Sequence, residues 1–116
     1  MTLKVELDKL LEVAAGFGTV PMLLSTDDDS RPRASAVSLT WDGTVARVRA
    51  GHRSLANAER RPLVSLLWPA PAGERFALFV DGEATQVEPD GPEAKSGGWV
   101  TFTATSAMLH VVDRTP

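Results

Sequence analysis

The chain has 116 residues, an apolar composition of 43% and a formal net charge of −3. This length suits one domain with a packed core and is too short for two. The mild negative charge gives no overall attraction to nucleic acid or to acidic membranes, so any anion site must be local. The absence of cysteine excludes disulfides, thiolate metal sites and thiol catalysis.

Nothing in the sequence predicts export or insertion into a membrane. Glu6, Asp8 and Glu12 interrupt the apolar residues near the N-terminus, so no secretory signal is predicted. The longest uncharged run, residues 13–26, is about 14 residues long and contains two glycines and a proline. A transmembrane helix needs roughly 20 residues. We therefore expect a cytoplasmic protein in which residues 1–116 form a single domain.

The N-terminal residues follow a helical pattern. Apolar residues recur at helical spacing from Leu3 to Ala14, and charged residues lie largely opposite them. The spacing predicts an amphipathic helix that ends at Gly16 or Gly18.

Six later segments have the composition and alternation of β-strands. They are Val20–Thr26, Arg33–Trp41, Val45–Ala50, Leu63–Trp68, Phe76–Val87 and Trp99–Val112. Asp42-Gly43 predicts a tight hairpin between the second and third strands, and Gly82 predicts a bend or bulge in the fifth. The fourth strand is apolar on both faces except at Ser65, which predicts a central position. The fold class is therefore mainly β. We expect a six-stranded barrel, with a sandwich as the structural alternative.

A short internal helix is predicted over Ser54–Arg61, because Pro62 stops the helical pattern there. Asp27–Pro32 has the composition of a turn, and Glu88–Gly98 that of a surface loop. The three consecutive aspartates of the first segment lack the spaced oxygen ligands of a calcium loop. We interpret them as a polar hairpin turn.

The start of the internal helix carries the residues best suited to a ligand. Gly51 precedes His52, Arg53 and Ser54, and Asn57 lies one turn further on, on the same side as Arg53. A guanidinium fork, a hydroxyl and free N–H groups at a helix start can hold a phosphate, and Ser54 could also cap the helix. The alternative is a capped surface helix with solvated arginines, because the tetrapeptide is not a specific motif.

Two further features admit two interpretations each. Arg47 and Arg49 form either a solvated outer face with acidic partners across the sheet, which we favour, or a positive wall beside a phosphate. Trp68 fills the core, or it flanks a flat cofactor or a dimer contact. Two histidines without cysteine predict no metal site. No paired carboxylates, nucleophile elbow or P-loop is present, so no catalytic side chain is assigned.

Several motifs follow one another in a distinctive order between about Leu7 and Val87. They are Leu10-Leu11-Glu12, Leu24-Ser25-Thr26, the aspartate turn, Arg31-Pro32 leading into Ser35–Leu39, the Asp42-Gly43 hairpin, Gly51–Asn57, Arg61–Leu67 and Val80–Ala84. This order resembles the FMN-binding split barrels that are like pyridoxamine 5'-phosphate oxidase. The segment Arg61–Leu67 is similar to that family's asparagine-proline-x-valine-serine-leucine strand.

The resemblance implies a split β-barrel homodimer with a flavin at each subunit interface. It places the flavin along the strand Ser35–Thr40 and the phosphate at the start of the internal helix. The cofactor-binding positions that it implies are Ser35, Val37, Ser38, Val48, His52, Arg53, Ser54 and Asn57. The implied cofactor is FMN, with a deazaflavin as the alternative. The implied activity is a flavin-dependent oxidoreductase that acts on a small molecule of unknown identity.

Departures from the family pattern limit this expectation. Thr40 stands where true pyridoxamine-phosphate oxidases carry a lysine, and Ser54 stands where a second cation is common. The chain also ends before their C-terminal extension, so we do not predict vitamin B6 synthesis. Loss of a cation weakens phosphate binding by about 1 kcal/mol or more. The alternatives are therefore a non-catalytic module for flavin, deazaflavin or heme, and a dimeric barrel with an empty site.

Overall fold

The computed structural model describes residues 2–92 and 96–112. Its strands are β1 (Thr2–Val5), β2 (Met22–Thr26), β3 (Pro32–Ala36), β4 (Ser38–Asp42), β5 (Val45–Ala50), β6 (Leu63–Trp68), β7 (Phe76–Pro89) and β8 (Gly98–Val111). A 3₁₀ turn over Leu7–Lys9 leads into helix α1 (Leu10–Ala15), and helix α2 covers His52–Arg60. All strand pairs are antiparallel. The mainly β fold class is confirmed, with eight strands in the described residues instead of six.

The predicted N-terminal helix is wrong over residues 3–5, which belong to strand β1 (Thr2–Val5). This strand pairs with the C-terminal half of β8, from Thr2 opposite His110 to Val5 opposite Ala107. The free edge of β8 supplies hydrogen-bond partners to this backbone, and that pairing outweighs the helical spacing of the side chains. The helix itself is confined to α1, and Gly16 ends it as predicted.

The predicted second strand, Arg33–Trp41, is interrupted at Val37. Before the interruption β3 pairs with β2, and after it β4 pairs with β5. Buried Val37 donates its N–H to the Pro21 carbonyl, and Leu39 donates to the Thr19 carbonyl, each at 3.0 Å. The strand order is β3-β2-β6-β7-β8-β5-β4. The two strands at the ends of this order, β3 and β4, follow one another directly in the chain. The break therefore curls the sheet into a half-barrel.

The core fills the inside of the curled sheet. Its largest fully buried side chains are Trp68, Phe102, Leu10, Leu23, Leu66 and Leu78. The Trp68 ring stacks on Trp41 with ring centroids 6.2 Å apart, and its Nε1 donates to the Gly18 carbonyl at 2.9 Å. Of the two interpretations of Trp68, the structure supports the core role.

The predicted hairpin turn at Gly43 and the predicted bulge at Gly82 are both confirmed. Gly43 has φ 63° in the hairpin that joins β4 to β5, a conformation that favours glycine. In β7 the pairing register with β8 shifts between Asp81 and Gly82, which is the predicted bulge.

The loop between the two longest strands is shorter than predicted. Strand β7 continues to Pro89 and β8 begins at Gly98, so only the middle of the predicted loop Glu88–Gly98 remains outside the sheet. Residues 93–95 of that loop lie outside the described residues. Asp90 donates its N–H to the Gly97 carbonyl at 3.0 Å, which continues the pairing toward the loop. No helix in the described ranges is long and apolar enough to cross a membrane.

Candidate anion-binding cleft

A cleft of about 410 Å³ opens between the β2–β3 turn and helix α2. Its lining residues are Asp27, Asp28, Asp29, Arg33, His52, Arg53, Ala56, Asn57 and Arg60. The turn is closed by two backbone bonds of 2.9 Å, from the Asp27 N–H to the Arg31 carbonyl and from the Ser30 N–H to the Asp27 carbonyl. This is the hairpin predicted for the aspartate cluster. The structure adds that the hairpin forms one wall of the cleft.

Helix α2 forms the opposite wall, with His52 and Arg53 at its start and Arg60 at its end among the lining residues. It begins at His52 after Gly51, whose extended backbone occupies the N-cap position without any side-chain capping bond. The first N–H groups of a helix have no partner within the helix, and they carry the positive end of its dipole. Ser54 is buried and does not cap the helix, so that interpretation of Ser54 is wrong.

One aspartate joins the two walls. Asp27 is only 8% exposed and accepts hydrogen bonds from Arg33 Nε and, at 2.8 Å, from Asn57 Nδ2. Asn57 Nδ2 also lies 3.3 Å from Ser25 Oγ. Arg53 Nε lies 3.9 Å from Asp27 Oδ1, which confirms that Arg53 and Asn57 share a side of the helix.

A second aspartate joins the same turn to the end of the helix. Asp28 pairs with Arg60 and with Arg61, whose Nη2 lies 2.7 Å from Asp28 Oδ1. The hydrogen bonds from Arg61 and then Arg60 hold the pKa of Asp28 below its usual range. Arg61 Nε also donates to the Thr26 carbonyl at 2.9 Å. These contacts fix the C-terminal end of α2 against the hairpin.

The cleft is electrically balanced, which the sequence did not indicate. Its lining includes three aspartates and three arginines. Arg33 and Arg60 are engaged by Asp27 and Asp28 through hydrogen bonds, whereas the Arg53 contact is beyond hydrogen-bond distance. The Arg53 side chain is 65% exposed. Among the lining guanidiniums, Arg53 is therefore the one most available to an incoming anion.

The structure brings only some of the predicted site residues into this cleft. His52, Arg53 and Asn57 line it, whereas Ser35, Val37, Ser38, Val48 and Ser54 are not among its lining residues. Ser35 is half-buried on β3, and Ser38 is exposed on β4. Val48 has no exposed surface, and its backbone pairs with Leu39 on one side and Val100 on the other. Contact between these residues and a cofactor stays a prediction.

Sequence reasoning missed Asp27, Arg33 and Arg60 as members of the site. One signal was available, because Arg53, Asn57 and Arg60 recur at i, i+4 and i+7 and so share one helix face. The sequence could not indicate that this face meets the aspartate turn, which lies about 30 residues earlier.

The favoured interpretation of Arg47 and Arg49 is confirmed. Arg47 Nη2 lies 3.2 Å from Glu88 Oε2, and Arg49 forms two hydrogen bonds to Asp90, one of them 2.7 Å long. Both guanidiniums also lie over the Trp99 ring, at 4.6 and 5.3 Å from its centroid. These arginines have acidic partners across the sheet and lie outside the cleft.

Acidification should weaken the fold through Asp27. The hydrogen bond from Arg33, followed by that from Asn57, lowers the pKa of Asp27 below its ordinary value of 3.8. A carboxyl group with a lowered pKa in the folded state adds stability that is fully present above the unfolded pKa. That stability is lost as pH falls through the folded pKa. We expect urea unfolding between about pH 5 and about pH 2 to show a smaller loss of stability for Asp27→Asn than for the parent. Parallel pH dependences would contradict this assignment.

Three solved structures have a similar fold at low sequence identity. A protein of the pyridoxinephosphate oxidase family from Clostridium acetobutylicum, related to general stress protein 26, has a TM-score of 0.68 at 12% identity and covers 92% of this chain and 91% of its own. An F420 reductase has a TM-score of 0.64 at 17% identity, covering 77% and 88%. HutZ, the heme storage protein from Vibrio cholerae, has a TM-score of 0.61 at 18% identity, covering 92% and 95%.

These similarities concern the fold alone, because every identity is low. No protein-family model and no curated protein matches the sequence. The chain has the split-barrel fold of proteins like pyridoxamine 5'-phosphate oxidase.

Proposed function

We propose that the chain binds a phosphate-bearing cofactor of the flavin type, with the phosphate at the start of helix α2. FMN is the first candidate and a deazaflavin is the second. The carrying observation is Arg53, a mostly exposed guanidinium beside an uncapped helix N-terminus in a cleft of about 410 Å³. Structural neighbours that include an F420 reductase and a member of the pyridoxinephosphate oxidase family support the cofactor class.

The donor set fits one anionic group. Arg53 offers a planar fork of N–H donors, and the first N–H groups of α2 add backbone donors. Asp27 would face the phosphate, but Arg33 and Asn57 already engage its carboxylate oxygens. The residues present therefore suit a single phosphate at the helix start.

The proposed activity is a flavin-dependent oxidoreductase with an unknown small-molecule substrate. When bound, a flavin supplies the hydride or electron transfer, and the protein orients it and adjusts its electronics. The residues proposed to hold the remainder of the cofactor are Ser35, Val37 and Ser38. Val48, on the adjoining strand β5, belongs with the phosphate end of the proposed site. No side chain is assigned as a catalytic acid or base. A cytoplasmic homodimer with the cofactor at the interface belongs to the same proposal.

A binding module without turnover, for flavin, deazaflavin or heme, is the second candidate. The balance of three aspartates against three arginines in the cleft favours its heme and empty-site forms, because such a site attracts a phosphate less strongly than a cationic one. A heme storage protein is among the structural neighbours with a similar fold. At the extreme, this candidate is a dimeric barrel that binds no cofactor.

The spectrum and the released small molecules test the proposal directly. The purified protein, incubated with FMN and desalted, should retain a visible flavin band, and mass spectrometry of the denatured sample should identify the molecule. A colourless protein that releases no flavin or deazaflavin would overturn the cofactor assignment. Reduction of the bound flavin by a nicotinamide donor would favour the oxidoreductase over the binding module.

A further inference from the structure

Asp27 lies where the β2–β3 hairpin meets helix α2. Its carboxylate accepts hydrogen bonds from Arg33 Nε and, at 2.8 Å, from Asn57 Nδ2. Its backbone closes the hairpin, because its N–H donates to the Arg31 carbonyl and its carbonyl accepts from the Ser30 N–H. The backbone and the side chain are therefore both held. Asp27 forms a fixed negative charge that is only 8% exposed.

Arg53 faces this fixed charge with its Nε atom, which lies 3.9 Å from Asp27 Oδ1. A guanidinium also carries two Nη nitrogens, whose N–H donors can bind a second anion in a bidentate manner. The Arg53 side chain is 65% exposed, which leaves room for that second anion. Arg53 can therefore contact Asp27 and a ligand at the same time.

The neighbouring carboxylate makes Arg53 better prepared for a ligand. A long exposed side chain samples many rotamers, and ordering it on binding lowers the affinity for the ligand. A fixed opposite charge beside Nε reduces this loss, because it restricts the side chain before the ligand arrives. The same carboxylate holds Asn57, one helical turn after Arg53. One residue thus fixes both the helix and the arginine that it carries.

We infer that Asp27 is a positioning residue for the anionic group of the ligand, and that it acts through Arg53. It restrains the Nε side of the guanidinium and leaves the Nη donors to the phosphate. The identity of the ligand rests on the proposed function, but the placement of Arg53 does not. The opposing interpretation is that Asp27 repels an anion, as any carboxylate in the cleft would.

Asp27→Asn distinguishes the two roles by the sign of its effect on FMN affinity. A positioning role predicts that FMN binds about three- to tenfold more weakly, although the substitution removes a negative charge from an anion site. Repulsion alone predicts that FMN binds up to about threefold more tightly. Fluorescence titration of the full chain at one salt concentration measures the change, and unchanged or tighter binding would overturn the inference.

Asp29→Asn is the matched control, because Asp29 belongs to the same hairpin and also lines the cleft. Asp29 is exposed and pairs with Arg31, and its Oδ1 accepts the Arg31 N–H at 3.1 Å, a bond that asparagine can keep. This variant loses the same charge and should bind FMN as tightly as the parent or up to about threefold more tightly. A loss equal to that of Asp27→Asn would contradict a specific role for Asp27.

The same substitution in an Arg53→Ala background separates positioning from a general effect on the cleft. If Asp27 acts through Arg53, Asp27→Asn should not lower FMN affinity any further in this background. An equal loss with and without Arg53 would show that Asp27 only holds the cleft together, and the inference would fall. If Asp27→Asn does not fold by circular dichroism, Asp27→Ser takes its place and the same results are required of it.

A measurement without ligand keeps this inference separate from the proposed function. In ¹⁵N-labelled protein, the order parameter of the Arg53 Nε–H group reports the fast motion of the side chain. The order parameter should fall in Asp27→Asn and stay unchanged in Asp29→Asn. Equal values in the parent and in Asp27→Asn would overturn the inference. If the expected difference is seen but the parent binds no flavin, the proposed function fails and the placement of Arg53 by Asp27 stands.

Discussion

Arg53→Ala should lower the affinity for FMN by roughly tenfold or more while the fold stays intact. A charge-assisted hydrogen bond contributes about 1.5–3 kcal/mol, and 1.4 kcal/mol is a factor of ten in affinity. We expect the lower end of that range because the Arg53 side chain is 65% exposed and water competes with the ligand. Its contact with Asp27 is long, at 3.9 Å, so its removal should cost the folded state little. Fluorescence titration with FMN measures the change.

Arg47→Ala is the matched control for this variant. Arg47 is also an exposed arginine with one acidic partner, Glu88, but it lies on β5, outside the cleft. Its variant should bind FMN as the parent does. Equal FMN affinity in Arg53→Ala and the parent would remove Arg53 from the phosphate site. A comparable loss in both variants would indicate a general charge effect instead.

Gly82→Ala should destabilise the protein strongly. A Cβ atom at this position would lie 2.4 Å from the Thr103 carbonyl oxygen and 2.5 Å from the Phe102 ring. Phe102 is fully buried, and the carbonyl belongs to the neighbouring strand β8, so neither can move aside without disturbing the core or the ladder. Overpacking of this kind costs about 1–3 kcal/mol, occasionally more. Urea denaturation should show the free energy of unfolding reduced by that amount.

Gly91→Ala provides the comparison for Gly82→Ala. A Cβ atom there would meet no atom within 4 Å, so the free energy of unfolding should change by no more than about 0.5 kcal/mol. If Gly82→Ala were as stable as Gly91→Ala, the close approach of β7 and β8 at the bulge would be wrong. A destabilised Gly82→Ala variant that still binds FMN would show that the stability of the sheet and FMN binding in the cleft are separate properties.

The local elements were predictable because each depends on residues close together in the chain. The Asp42-Gly43 turn, the alternation of β5 and the start of a helix near Arg53 follow from short-range geometry and composition. The bulge at Gly82 was also predictable, since a glycine within a long strand indicates a bend or a close approach.

The site was only partly predictable, because some of its residues come from segments that are far apart in the chain. The sequence identified His52, Arg53 and Asn57 by their chemistry at a helix start, and the structure places all three in the cleft. It could not indicate that buried Asp27 would join Asn57 and Arg33, because that contact depends on the packing of α2 against the β2–β3 hairpin. This packing brings equal numbers of aspartates and arginines into the cleft.

The sequence by itself determined most of the strands, the internal helix, and which residues could hold a phosphate. Only the tertiary structure decided that residues 2–5 pair with β8, that the predicted second strand breaks at Val37, and that Asp27 of the β2–β3 turn meets Asn57 of helix α2. Periodicity acts over a few residues, whereas edge pairing, sheet closure and alignment of side chains across strands depend on residues far apart in the chain. Their free energy is gained only when the sheet assembles.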